Sequence, residues 1–99
     1  MSTQPPDPRT IREAFREFHG KNPHVYDELV TLARGLVRAG HRRIGIGMLF
    51  EVLRWQRMLA TTGDEFKLNN NYRSRYARLI MYREIDLRYV FETRRLHRL

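Results

Sequence analysis

Apolar residues recur along this chain at helical spacing, and Gly, Pro and Asn stand where each apolar stretch starts or stops. Ile11, Ala14, Phe15 and Phe18 share one face and predict a first helix over about 8–19. Asp7-Pro8 offers a cap followed by a proline at the first helical position, and Gly20 offers a stop. Asn22-Pro23 repeats the start signal. Val25, Leu29, Leu32, Ala33 and Leu36 line a second helix over about 23–39, widened by Tyr26, Val30 and Val37 and ended by Gly40. The spacing of Ile46, Leu49, Phe50 and Leu53, with Val52, Trp55, Met58 and Leu59 beyond, predicts a third helix to about Ala60, with Arg54 and Arg57 on its other side. Between the second and third helices Ile44 and Ile46 alternate with glycine, as a short extended segment would.

The fourth pattern carries the most chemistry. Tyr72, Tyr76, Leu79 and Ile80 fall at i, i+4, i+7 and i+8 and predict a helix over about 70–82 with those residues inward. Asn69, Asn70 and Asn71 can cap its first turn, because a short side-chain oxygen accepts backbone N–H groups that a helix start leaves unpaired. Arg73, Ser74, Arg75 and Arg78 are then left on or beside the solvent face. In the last segment Ile85, Leu87, Tyr89 and Phe91 alternate as a strand would, while Asp86 caps well and Leu87, Val90 and Phe91 suit a helix. No hairpin turn follows, which favours a short helix. The expected fold is mainly α: a compact bundle of four to five helices, helix-turn-helix or winged-helix-like, with room for one very short strand. Residues 1–7 read as a flexible tail, 8–93 as a single helical domain and 94–99 as a basic tail.

Composition narrows the function. The 99 residues suffice for one core. Cysteine is absent, which removes disulfides, thiolate catalysis and Cys-based zinc sites. No run of about 18 apolar residues is present to span a membrane, and Met1 to Arg9 lacks the order of a signal peptide, so a cytoplasmic protein is expected. The net charge of +8 is uneven: residues 1–40 hold six Lys/Arg against five Asp/Glu, and residues 41–99 hold thirteen against six. Such a field favours polyanions, nucleic acid first, or an acidic protein. All the basic residues but Lys21 and Lys67 are arginine, the better bidentate ligand for phosphate or guanine, although a GC-rich genome also enriches Arg.

An enzyme is not expected. His19, His24, His41 and His97 have no carboxylate at a metal-ligand spacing, so neither a metal nor another cofactor is implied. Gly45-Ile46-Gly47 lacks the third glycine of a dinucleotide loop, because Phe50 stands in its place, and a P-loop, a nucleophile elbow and paired carboxylates are missing. The element order instead matches the first part of a winged helix-turn-helix domain, with the Arg-rich helix in the major groove of DNA. Asn70 and Asn71 would then meet adenine edges and Arg73 and Arg75 guanine or phosphate, with Ser74 beside them. Arg78, Arg42, Arg43, Arg54 and Arg57 would hold the backbone. Against this stand a long loop over about 61–69 and no convincing wing.

Plainer readings stand beside each residue. The asparagines can be a capped turn only, Tyr72 and Tyr76 suit the core better than a stacking platform, and Trp55 suits a core anchor. Arginines on a helix are often just a solvated face. The alternative to DNA is a host bacterial protein as partner, met by Trp55, Tyr72, Tyr76 or the C-terminal segment with an arginine rim. A paired recognition helix would imply a homodimer.

Residues Asn22 to Leu29, Leu49 to Trp55 and Phe66 to Ile80 together resemble a family of small phage and prophage proteins. That family brings no assigned activity, so no functional residue is carried over. What the resemblance implies is context: a phage-encoded or prophage-encoded protein in the cytoplasm of a bacterial host, where such proteins commonly bind DNA or seize a host protein.

Overall fold

The structure, a computed structural model, describes residues 10–60 and 68–92, with the side chains of residues 58–60 left out. Four helices are present: α1 (Ile11–Lys21), α2 (Pro23–Arg38), α3 (Ile46–Ala60) and α4 (Arg73–Arg83). A 3-10 turn (Asn70–Tyr72) leads into α4 and another (Ile85–Leu87) follows it. The protein is mainly helical, as the periodicity predicts. Helices α2, α3 and α4 pack against one another, and α1 lies against α2 and the turn that opens α4.

Local chemistry sets the ends. The expected start at Asp7-Pro8 lies outside the described residues, but residue 10 is not helical: Thr10 is the cap, in a capping box where its Oγ1 accepts from the Glu13 N–H and the Glu13 carboxylate accepts from the Thr10 N–H. Gly20 does not end α1, which runs one residue further. Asn22 ends it, donating from both its backbone N–H and its side-chain Nδ2 to the Phe18 carbonyl. The Asn22 side chain is thereby unable to cap α2, which starts on Pro23 alone. At the end of α2, Gly40 does what its position predicts: φ is +105°, its N–H donates to the Val37 carbonyl and the His41 N–H to that of Leu36. This is the paired bonding of a left-handed helix stop.

The core is drawn mainly from three helices. Val25, Tyr26, Leu29, Val30 and Ala33 of α2 meet Leu49, Phe50 and Leu53 of α3 and Tyr76, Ala77 and Ile80 of α4. Helix α1 contributes only half-buried residues, Ala14, Phe15 and Phe18. Its aromatic rings cap one end of the core: Phe15 packs edge-on to Tyr76 at 4.8 Å and to Tyr72 at 5.6 Å, and stacks parallel to His19 at 5.9 Å.

Three sequence expectations change. The extended segment before α3 is one residue of parallel bridge: the Ile44 N–H donates to the Val90 carbonyl and the Glu92 N–H to that of Ile44. The same bridge resolves the ambiguous last segment, which is a 3-10 turn over Ile85–Leu87 and a contact at Phe91, with Leu87 and Phe91 buried but Ile85 and Tyr89 exposed. Among the described residues no strand pair follows α4 to form a wing. Trp55 is not a core anchor but 59% exposed, because at about 100° per residue it lies opposite the stripe of Leu49, Phe50 and Leu53, beside exposed Met48.

His19, Gly35 within α2 and Gly40 just past its end provide tests. Burial, then the neighbouring Arg83, holds the imidazole below its ordinary pKa of 6.5, so the folded protein favours the neutral ring and the unfolded chain takes up more protons. Stability is therefore expected to fall as pH drops below about 6.5, and His19→Gln to flatten that slope in urea titrations across the range. Gly35 faces open space inside a helix, so Gly35→Ala is expected to raise stability by about 0.5–1 kcal/mol. Gly40→Ala, forced to a positive φ, is expected to lower it by about 1–2 kcal/mol, both read by chemical denaturation.

Candidate nucleic-acid interface

Helix α4 has one buried and one exposed face, and Tyr76 decides which is which. Its ring is fully buried, edge-on to Phe15 and, at 6.0 Å, to Phe50 of α3. Tyr72 and Ile80, one turn to either side, are buried with it. At about 100° per residue the opposite face carries Ser74, Arg75, Arg78 and Tyr82. Ser74 and Arg78 are exposed, Arg75 is half-buried and Tyr82 is 82% exposed. No Asp or Glu occurs between residues 68 and 83.

The entry to α4 is built from the asparagine run. Asn69 alone caps, its Oδ1 accepting from the Asn71 N–H at 2.8 Å. The Asn70 carbonyl accepts from Arg73 Nε at 3.2 Å, and Asn70 Oδ1 accepts from Arg54 Nη2. Asn70, Asn71 and Arg73 are exposed. The Arg73 guanidinium lies over Gly47, where a methyl group would come within 3.1 Å of Nη1. That glycine gives the arginine room to lie across the start of α3.

The expected site residues thus divide. Asn70, Asn71, Arg73, Ser74, Arg75 and Arg78 are gathered on the turn and outer face of α4. Arg54 is turned inward instead: besides Asn70 it donates to the Leu68 carbonyl at 2.7 Å and to Glu51 Oε2 at 2.8 Å, and lies over the Phe50 ring. Arg57 falls on the inner stripe of α3 and reaches Glu28 of α2 at 3.2 Å. Arg42 and Arg43 are exposed on the segment before α3. Of the three aromatic residues expected for a protein contact, Tyr72 and Tyr76 are buried and only Trp55 is outside. Tyr82 is the addition the sequence reading lacks, and its signal is plain in retrospect, four residues after Arg78 and eight after Ser74.

The acids of the fold are largely committed elsewhere. Arg34 of α2 donates to both oxygens of Asp86, at 2.9 and 3.0 Å, and to Glu84 at 2.7 Å. The first of these hydrogen bonds holds the Asp86 carboxyl below the usual range. Glu84 also accepts from the Tyr26 hydroxyl at 2.8 Å, and Arg83 stacks over the Tyr26 ring at 4.8 Å. Burial first, and then that hydrogen bond to Glu84, pushes the Tyr26 phenol up, so it stays protonated. Lys21 pairs with Glu17, Arg54 with Glu51 and Arg57 with Glu28. Among the described residues, Arg73, Arg75 and Arg78 have no carboxylate partner.

No protein-family model, curated protein or solved structure matches this chain. Among the described residues no cluster of three or more His, Asp or Glu could hold a metal, and no helix is long and apolar enough to cross a membrane.

The division between inward and outward arginines is measurable. Arg54→Ala is expected to lower stability by about 1–3 kcal/mol, since it strands the carbonyl of buried Leu68 and uncovers the Phe50 ring. Arg78→Ala, which touches neither, is expected to stay within about 0.5 kcal/mol of the parent in the same urea titration.

Proposed function

We propose that this chain is a non-enzymatic DNA-binding protein that presents the outward face of α4 to the nucleic acid. One observation carries the reading: Arg75 and Arg78 on the outer face of α4, and Arg73 at its start, belong to an acid-free stretch and among the described residues lack carboxylate partners, while Arg34, Arg54 and Arg57 are spent on the fold's own acids. Unopposed guanidinium groups gain most from a phosphate backbone, because contact releases the counterions condensed on the nucleic acid. Asn71 and Ser74, exposed beside these arginines, have the donors and acceptors that base edges require, whereas the Oδ1 of Asn70 is taken by Arg54 and only its amide nitrogen is left to donate.

The mutual packing of α2, α3 and α4, with the arginine-bearing helix last, suits a helix-turn-helix-like presentation. The connection from residue 61 to residue 72 is longer than the turn of a few residues in the simple motif, so the likeness lies in the packing and not in the turn. Arg42 and Arg43 precede the start of α3, where Arg73 crosses, and would extend the phosphate contacts. A bacterial host cytoplasm and a phage origin belong to this reading on the sequence resemblance alone.

A second reading has its own observation. Met48 and Trp55, exposed at 47% and 59% and two turns apart on one side of α3, are apolar side chains suited to contact with a host protein. The two readings part on salt. Binding of the protein to a random-sequence duplex is expected to weaken steeply between two salt concentrations. The Arg73/Arg75/Arg78 triple alanine variant, helicity intact, is expected to lose about one unit of salt slope per arginine that meets a phosphate. Absence of binding at low salt to the duplex and to a single strand of the same length alike, or a variant that binds as the parent does, defeats the DNA reading and leaves the Trp55 side of α3.

A further inference from the structure

Tyr82 is an aromatic ring held in water by the same geometry that exposes the arginines. It is 82% exposed, on the outer stripe of α4, one turn beyond Arg78 and on the same side as Ser74 and Arg75. Among the described residues it makes neither a hydrogen bond nor a ring contact, whereas Tyr26, Tyr72 and Tyr76 are each built into the aromatic core. Of the other large apolar side chains of α4, Ile80 is buried and Leu79 and Met81 are half-buried against the core, while Arg78, one turn before Tyr82, is exposed. A single exposed ring with an exposed arginine one turn away is a poor centre for a protein interface, which needs a cluster of apolar residues to exclude water. It is well suited to the flat face of a nucleobase, next to guanidinium groups that follow the phosphates. In a duplex those base faces are already stacked on each other and the ring finds nothing to lie on.

We infer that the outward face of α4 takes unpaired nucleic-acid strand, with backbone phosphates on Arg75 and Arg78 and a base stacked on the ring of Tyr82. The inference rests on the nucleic-acid reading above and sharpens its substrate to single-stranded or locally opened DNA. Ile85 and Tyr89, also exposed, lie past the break at Glu84, where the backbone leaves the helix, on the side of the following turn opposite buried Leu87. They are not part of the stripe.

The test compares three labelled probes: an oligothymidine of about fifteen nucleotides, an abasic deoxyribose-phosphate strand of the same length, and a duplex. Tyr82→Ala is expected to weaken oligothymidine binding about tenfold, to leave the abasic strand unchanged, and to be rescued by Tyr82→Phe, which keeps the ring. Tyr89→Ala, equally exposed but off the stripe, is expected to bind as the parent does. Circular dichroism confirms that each variant is folded. The inference is overturned if Tyr82→Ala binds oligothymidine normally, if it loses the abasic strand equally, or if Tyr89→Ala loses as much. Salt-dependent duplex binding with any of those results defeats the stacking site alone. If no probe binds, the nucleic-acid reading falls with it.

Discussion

The packing of Tyr76 is the constraint on which the rest depends. A single fully buried ring touches Phe15 and His19 of α1 and Phe50 of α3 while standing on α4. Three helices are joined through it, and rotating α4 about its axis would take the ring out of all these contacts at once. The burial of one aromatic side chain is worth a few kcal/mol and edge-to-face pairing adds to it. That is enough to fix one rotation of a helix whose outer half is polar. The outer face of α4, with Ser74, Arg78 and Tyr82, is exposed because Tyr76 is not.

A second constraint is electrostatic and acts through what it removes. Glu84 and Asp86 sit immediately after α4, where they could have reached back and neutralised its arginines. Arg34, arriving from α2, takes both carboxylates, and Tyr26 and Arg83 complete the cluster. Pairs this exposed contribute little to stability. Their consequence is in the field: acid is drawn to the α2 side of the turn, and the outer face of α4 keeps its positive charge. The same arginine chemistry therefore serves opposite ends, closing the fold at Arg34 and Arg54 and leaving it open at Arg73 and Arg78.

The closure of the chain is economical. One bridge between Ile44 and Phe91 joins the segment before α3 to the segment after α4, and buried Leu87 holds the intervening turn against α4. Because Leu87 and Phe91 face inward, Ile85 and Tyr89 face out. A strand-like alternation in the sequence is thus realised as a 3-10 turn followed by one bridged residue, which splits the apolar set that a strand would have kept on one side: Leu87 and Phe91 turn in, Ile85 and Tyr89 out.

What the sequence determined by itself is what depends on neighbours a few residues apart. The four helices and the left-handed stop at Gly40 follow from periodicity and glycine placement, and so does most of the inward set of α2 and α4, although Val37, expected inward, is exposed. The division of α4 into a tyrosine face and an arginine face was legible for the same reason, since residues three and four apart on a helix must share a side. The tertiary structure decided which face of each helix meets another and which charges find partners. Trp55 is apolar but opposite Leu53, so it stays in water; Arg54 and Arg57 are charged but point toward Leu68 and Glu28, so they serve the fold. Asn22 closes α1 rather than opening α2 because the Phe18 carbonyl lies within its reach. Such outcomes turn on contacts between residues far apart in sequence or on the competition between two helix ends for one side chain, and neither is written in local spacing.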